Sequence, residues 1–208
     1  MNNKKKIPLS ECLTVNLFDK NSVDIVALHE TGHVITMYAL GMMDTFSYVT
    51  KKTGSGTMGL TEMTDEYKAT ILQLGNDIIQ SVGNLSTGKG IAQSFKLSRL
   101  EAARLYFPNI CRLFGGGAIC RYYQVPDEDM CSIDYNLIDT ILIQFNLTGE
   151  RETLLPLVDK YLNAIFASFD LLTKAIYKNL VENETLQKDD VMQIIKEWEE
   201  YKLIIVPL

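Results

Sequence analysis

Positive charge is scarce in this sequence: 20 lysines and arginines stand against 26 aspartates and glutamates, a formal net charge of −6 over 208 residues. Phosphate backbones are gripped by basic stripes, so nucleic acid is not an expected partner. No run of about eighteen consecutive apolar residues occurs, which excludes a membrane-spanning helix. The polar start from Met1 to Lys6 is followed by Glu11, Asn16 and Asp19 rather than by an apolar run, so no export signal is read there. Cysteine is sparse as well. Cys12, Cys111, Cys120 and Cys131 lack tight paired spacing, which fits free thiols in a reducing compartment and makes the cytoplasm the expected location. No internal repeat or low-complexity tract is present.

What is there is an ordinary globular composition, 47% hydrophobic and 22% charged. The length suits a single domain over 1–208, with 1–20 as an N-terminal extension and 21–200 as the core. Asn21 and Ser22 are good N-cap residues, Asp24 falls in a first turn, and the apolar stretch from Val23 to Leu40 closes at Gly41. Its apolar positions cover most of the circumference, so the expected helix is central. Phe46–Thr50 and Thr57–Met63 flank the glycine-rich Lys51–Gly56 and predict a β-hairpin. Helical rhythm returns from Thr64 to Val82, followed by a loop over Gly83–Gly90. From Leu97 the pattern is helical again, with Pro108 placed in a first turn and the helix continuing through Ile119. That helix contains Gly115-Gly116-Gly117, which costs about 1 kcal/mol per glycine relative to alanine, so close approach of another backbone is the expected gain. Asp134 to Phe145 is a further helical stretch, and the remainder from Thr153 reads as two or three helices. The predicted architecture is mainly α with a small β-hairpin or sheet beside the central helix.

Histidine is the scarcest chemistry-bearing residue. Both copies, His29 and His33, fall in His29-Glu30-Thr31-Gly32-His33, an H-E-x-x-H pattern in which residues four apart aim two imidazoles at one metal. Unpaired polar groups on a buried helix cost several kcal/mol, roughly, and a bound cation removes that cost. Zn2+ is the expected cofactor, with Glu30 as the catalytic base that activates zinc-bound water. A catalytic zinc takes three protein ligands, and with no further histidine the third is a carboxylate or a cysteine. Asp134, Asp129, Asp139, Glu62, Glu101 and Cys131 are candidates among which spacing does not choose. A developing oxyanion would need the metal plus a tyrosine, an arginine or backbone N–H groups, and Tyr48, Tyr122 and Tyr123 are the tyrosine candidates.

Val26-Ala27-Leu28-His29-Glu30-Thr31-Gly32-His33-Val34, with Thr31 at the usual alanine, is similar to the Y-H-E-A-G-H-A of the FtsH family of ATP-dependent zinc metallopeptidases, whose peptidase domain the chain resembles. Tyr48-Val49-Thr50 and Gly56-Thr57-Met58-Gly59-Leu60-Thr61 resemble its V-T-I and A-L-G-Y-T hairpin. Leu113-Phe114-Gly115-Gly116-Gly117-Ala118 is similar to L-L-G-G-R-A, although Cys120-Arg121 replaces a pair of glutamates. Glu182-Asn183-Glu184-Thr185-Leu186 followed by Lys188-Asp189-Asp190 resembles E-K-E-T-L-x-x-E-E. The likeness spans roughly residues 22 to 196.

The resemblance implies a helical fold with a small sheet beside the zinc. It selects Asp134 in Ser132-Ile133-Asp134 as third metal ligand, although Ile133 replaces the family's asparagine. Separately, the hairpin offers an edge strand to which an extended substrate could add, with Thr57, Met58, Gly59 and Leu60 as the expected substrate-binding residues. The phosphate-loop pattern is missing: Thr87-Gly88-Lys89-Gly90 lacks the leading glycine spacing and the following hydroxyl. The implied protein is therefore a stand-alone metalloendopeptidase, a monomer or small homo-oligomer, acting on peptides or unfolded protein, with a separate unfoldase as a partner it would borrow. The alternative is a non-catalytic or regulatory module that binds a protein partner, motivated by Cys120-Arg121. A small regulatory protease with one repressor-like substrate is a narrower version of the enzyme reading.

Overall fold

The computed structural model describes residues 5–17, 19, 22–52, 59–70, 99–126, 131–144 and 147–205. The apolar stretch after Asp24 forms helix α2 (Ile25–Ala39), which follows a short α1 (Leu9–Cys12). Asp24 itself is the cap, in place of Asn21 or Ser22: its carboxylate accepts the Ala27 N–H, and Lys51 Nζ lies 2.8 Å from its other oxygen. A carboxylate here satisfies an orphan N–H and complements the helix dipole. The helix stops at Gly41, at φ 68°, where the Met42 N–H donates to the Met37 carbonyl and the Gly41 N–H to that of Tyr38, the two bonds of a Schellman ending. Every residue from Ala27 to Met37 is buried, so α2 is the central rod of the fold.

Against it lies α3 (Arg99–Tyr122), which corrects the placement of Pro108: the helix starts upstream and runs through the proline. An interior proline costs about 3 kcal/mol. Burial of Ile110, Cys111, Leu113, Ala118, Ile119 and Cys120 beyond it supplies the offset. The glycine segment allows the two helices to meet backbone to backbone. A Cβ on Gly115 would lie 2.5 Å from Thr36 Oγ1 and 2.9 Å from the Gly32 carbonyl oxygen, and one on Gly32 would lie 2.6 Å from Ile119 Cγ2.

Strand β1 (Phe46–Thr50) pairs antiparallel with β2 (Leu60–Met63), Val49 opposite Thr61 and Thr50 opposite Leu60. This is the expected pairing with a shorter second arm: Gly59, at φ 88°, precedes the strand, while Thr57 and Met58 lie outside the described residues. A third strand, β3 (Thr185–Gln187), stands where only helix was expected and pairs with the other edge of β1, giving the order β2-β1-β3. Leu186 of β3 is buried, and Glu184, at φ 63°, makes the turn into the strand. Residues 65–70 are helical, and the rest of the expected 64–82 helix and the 83–90 loop lie outside the described residues.

The chain continues with α4 (Ser132–Gln144), α5 (Arg151–Ser168), α6 (Asp170–Asn183) and α7 (Lys188–Ile205). The result is mainly helical with one small antiparallel sheet. Buried side chains form one continuous cluster, to which the first twenty residues contribute Ile7, Cys12 and Leu17. Asn179 ties Ile7 down, its Oδ1 accepting the Ile7 N–H at 3.0 Å and its Nδ2 donating to the Ile7 carbonyl at 3.3 Å. Among the described residues, no helix is long and apolar enough to cross a membrane.

Candidate metal centre

His29 and His33 are one turn apart on α2 and both are buried. Helix α4 brings the third group. Asp134, Ile138 and Leu142 are spaced by four and share one face; Ile138 and Leu142 are buried in the core, so the same face points Asp134 inward. His29 Nε2 and His33 Nε2 lie 3.1 Å apart, and Asp134 Oδ2 lies 3.1 Å from the first and 3.3 Å from the second. A tetrahedral zinc with bonds of about 2.0–2.1 Å spaces its ligand atoms by roughly 3.3 Å. The triangle therefore has the edge lengths of one face of such a site, and two imidazole nitrogens with one carboxylate oxygen are a donor set that zinc accepts.

The tautomer of His33 supports the same reading. Its Nδ1 is 2.7 Å from the Arg112 carbonyl oxygen, which can only accept, so Nδ1 carries the proton and Nε2 presents its lone pair to the cluster. When the imidazoles are protonated instead, burial opposes ionisation of Asp134 but their charge and hydrogen bonds outweigh it and hold the carboxyl below its ordinary range. Glu30 stands beside this triangle, and burial raises its carboxyl above the ordinary value against the pull of His33, the Thr61 hydrogen bond and His29. The Thr61 hydroxyl donates to Glu30 Oε2 at 2.6 Å. Thr31, at the position of the motif's alanine, turns its hydroxyl back to the Ala27 carbonyl at 2.7 Å and so is satisfied within its own helix.

Among the described residues, His29, His33 and Asp134 are the one grouping of three or more potential ligands. The other candidates are placed elsewhere. Asp139 pairs with Arg151 at 2.7 Å, Glu62 pairs with Lys68, and Cys131 is buried and outside the cluster. Asp129 and the side chain of Glu101 lie outside the described residues. Of the tyrosines, Tyr123 donates to Asp170 at 2.6 Å and Tyr122 packs against Tyr123 and Phe166, while Tyr48 sits on the central strand opposite Glu62 and Gln187.

Sequence reasoning missed Arg112, whose carbonyl orients His33. The available signal is that Arg112 precedes Gly116 by one helical turn, so both lie on the face of α3 that meets α2. Its guanidinium also belongs to the surroundings of the site: burial lowers its pKa, against the influence of Tyr67, Asp134 and Glu62. Where the resemblance would place an acidic pair, Cys120 is buried, and Arg121 lies over the Phe114 ring at 4.7 Å while pairing with Asp159 at 2.7 Å. No protein-family model matches the chain, and no curated protein matches it.

Proposed function

We propose that the protein is a zinc-dependent metalloendopeptidase, built as a stand-alone domain of the FtsH-peptidase kind, that cleaves peptides or unfolded protein. The observation that carries this reading is the triangle of His29 Nε2, His33 Nε2 and Asp134 Oδ2, with edges of 3.1 to 3.3 Å, beside a buried glutamate. His29, His33 and Asp134 would hold the metal. A divalent zinc bound there supplies Lewis-acid chemistry, acidifying water and polarising a carbonyl.

The remaining work falls to the chain itself. Glu30 takes the proton of the attacking water and returns it to the leaving amine, a task suited to a carboxyl whose pKa is raised by burial. An extended substrate segment adds to the outer side of β2, which is an edge strand among the described residues. Gly59, just before that strand, and Leu60, at its start, would meet the backbone nearest the cleaved bond. Arg121 pairs with Asp159 of α5 and lies over Phe114, contacts that are separate from the metal triangle.

The test is elemental analysis and hydrolysis of fluorescein-labelled casein on the same preparations. One zinc per chain is expected, lost in His33→Ala and Asp134→Ala. Glu30→Gln should retain the zinc and lose hydrolysis by about 100-fold or more, because an amide cannot accept the proton. Zinc-loaded protein without hydrolysis of any unfolded substrate would move the reading to a partner-binding module.

A further inference from the structure

Glu30 is held by more than its own helix. Its Oε2 accepts the Thr61 hydroxyl at 2.6 Å, and the same hydroxyl lies 3.3 Å from the Glu30 backbone carbonyl. A hydroxyl has one proton, and the shorter contact, to Glu30 Oε2, claims it. On the other side, a Cβ at Gly59 would stand 2.5 Å from Glu30 Oε1 and 2.8 Å from its Cγ, so the bare Cα of Gly59 covers that face. At φ 88°, position 59 also favours glycine on conformational grounds. Thr61 is itself buried on β2, with Val49 of the central strand opposite. The carboxylate is thus clamped between a hydroxyl of β2 and the glycine that immediately precedes it, and β2 is an edge strand among the described residues.

We propose that Thr61 is a positioning residue for the hydrolytic reaction: its hydroxyl, bonded to Oε2, fixes the orientation of the Glu30 carboxylate, and β2 aligns the base and the substrate together. This rests on the peptidase reading. Binding of an extended chain to β2 and orientation of the base then share one rigid element. A loosely held Glu30 would lose rate rather than affinity, since misplacing a reacting group by about 1 Å costs on the order of 100-fold.

The experiment compares Thr61→Val, which keeps the shape and removes the hydroxyl, with Thr61→Ser, which keeps the hydroxyl. On fluorescein-labelled casein, Thr61→Val should lower kcat by about 10- to 100-fold with KM within about twofold, and Thr61→Ser should recover most of the rate. A second readout uses acetohydroxamate, whose N–OH proton needs a carboxylate acceptor. Its affinity, measured by calorimetry on the zinc-loaded proteins, should fall about tenfold in Thr61→Val and be restored in Thr61→Ser. An unchanged kcat, a rise in KM alone, or a failure of serine to rescue while zinc content and melting temperature are normal would overturn the proposal. If the wild type binds zinc but neither hydrolyses casein nor takes the hydroxamate, the peptidase reading fails first, and this inference falls with it.

Discussion

Gly116 of α3 lies directly against the imidazole of His29: a Cβ there would sit 2.6 Å from Cε1 and closer still to Nε2, the nitrogen that faces His33 and Asp134. The contact explains why a helix tolerates glycine at this point, since any side chain would push the ring out of the triangle. Gly116→Ala should therefore bind zinc at least about tenfold more weakly, the scale on which ligand-orienting contacts act. Gly149→Ala, where a Cβ meets nothing within 4 Å, is the control and should keep full metal content. Equal zinc content in the two variants would sink the account of the glycine segment.

Removing the metal should also destabilise the fold. His29, Glu30 and His33 sit at the centre of the molecule, and a ligand held only by the folded state contributes about 2.7 kcal/mol when present at a hundredfold excess over its Kd. For a chain of this size that corresponds to a fall of roughly 5–10 °C in melting temperature on adding EDTA. His33→Ala should show no EDTA-dependent shift. A shift of the same size in that variant would mean that the chelator acts elsewhere.

The central helix, the hairpin partners and the glycine contact were legible because each carries a strong local signal. The Val23–Leu40 run is apolar all round and ends in a glycine, and the three-glycine segment has no other use inside a helix. Asp134 was not separable from Asp129 or Asp139 by spacing; a resemblance selected it, and the core-facing series Asp134, Ile138, Leu142 is the physical reason that the chain brings it inward. Strand β3 was missed because Thr185–Gln187 is too short to show alternation between two helices, and what makes it a strand is its partner Tyr48–Thr50, far away in sequence. Pro108 was misplaced because local propensity argued for a helix start, whereas the buried residues on its C-terminal side hold the helix through it. Thr61 and Arg112 act through a hydroxyl and a backbone carbonyl, groups that leave no pattern in composition or period.

Arg121, at a position where the FtsH resemblance would place an acidic residue, offers a test of whether that position bears on chemistry. Its guanidinium pairs with Asp159 at 2.7 Å and covers Phe114, but both partners of the ion pair are partly exposed, so the pair contributes about 1 kcal/mol at most. Arg121→Ala should lower stability by about that amount in urea unfolding and leave zinc content and casein hydrolysis unchanged. A loss of hydrolysis in a normally folded, zinc-loaded Arg121→Ala would show that this position reaches the reaction after all.

At high pH the fold should weaken through its tyrosines. Burial, together with the hydrogen bond and charge of Asp170, pushes the Tyr123 phenol far up; burial and Glu199 push Tyr38 to about 12; burial raises Tyr177. In the unfolded chain these groups ionise near pH 10, roughly. Between that pH and the folded values, the unfolded state has lost protons that the native state still holds, so stability falls as pH rises. The contribution is fully present below about pH 10 and is lost as pH climbs towards 12 and beyond. Thermal midpoints measured from about pH 8 to pH 12 should decline over the upper half of that range. Tyr123→Phe should start about 1 kcal/mol less stable at neutral pH, having lost the 2.6 Å bond to Asp170, and should decline less steeply because its largest titrating difference is gone. Parallel curves for the wild type and Tyr123→Phe would place the alkaline transition on other groups, with Cys111, its thiol pushed by burial to about 12, the next to be replaced.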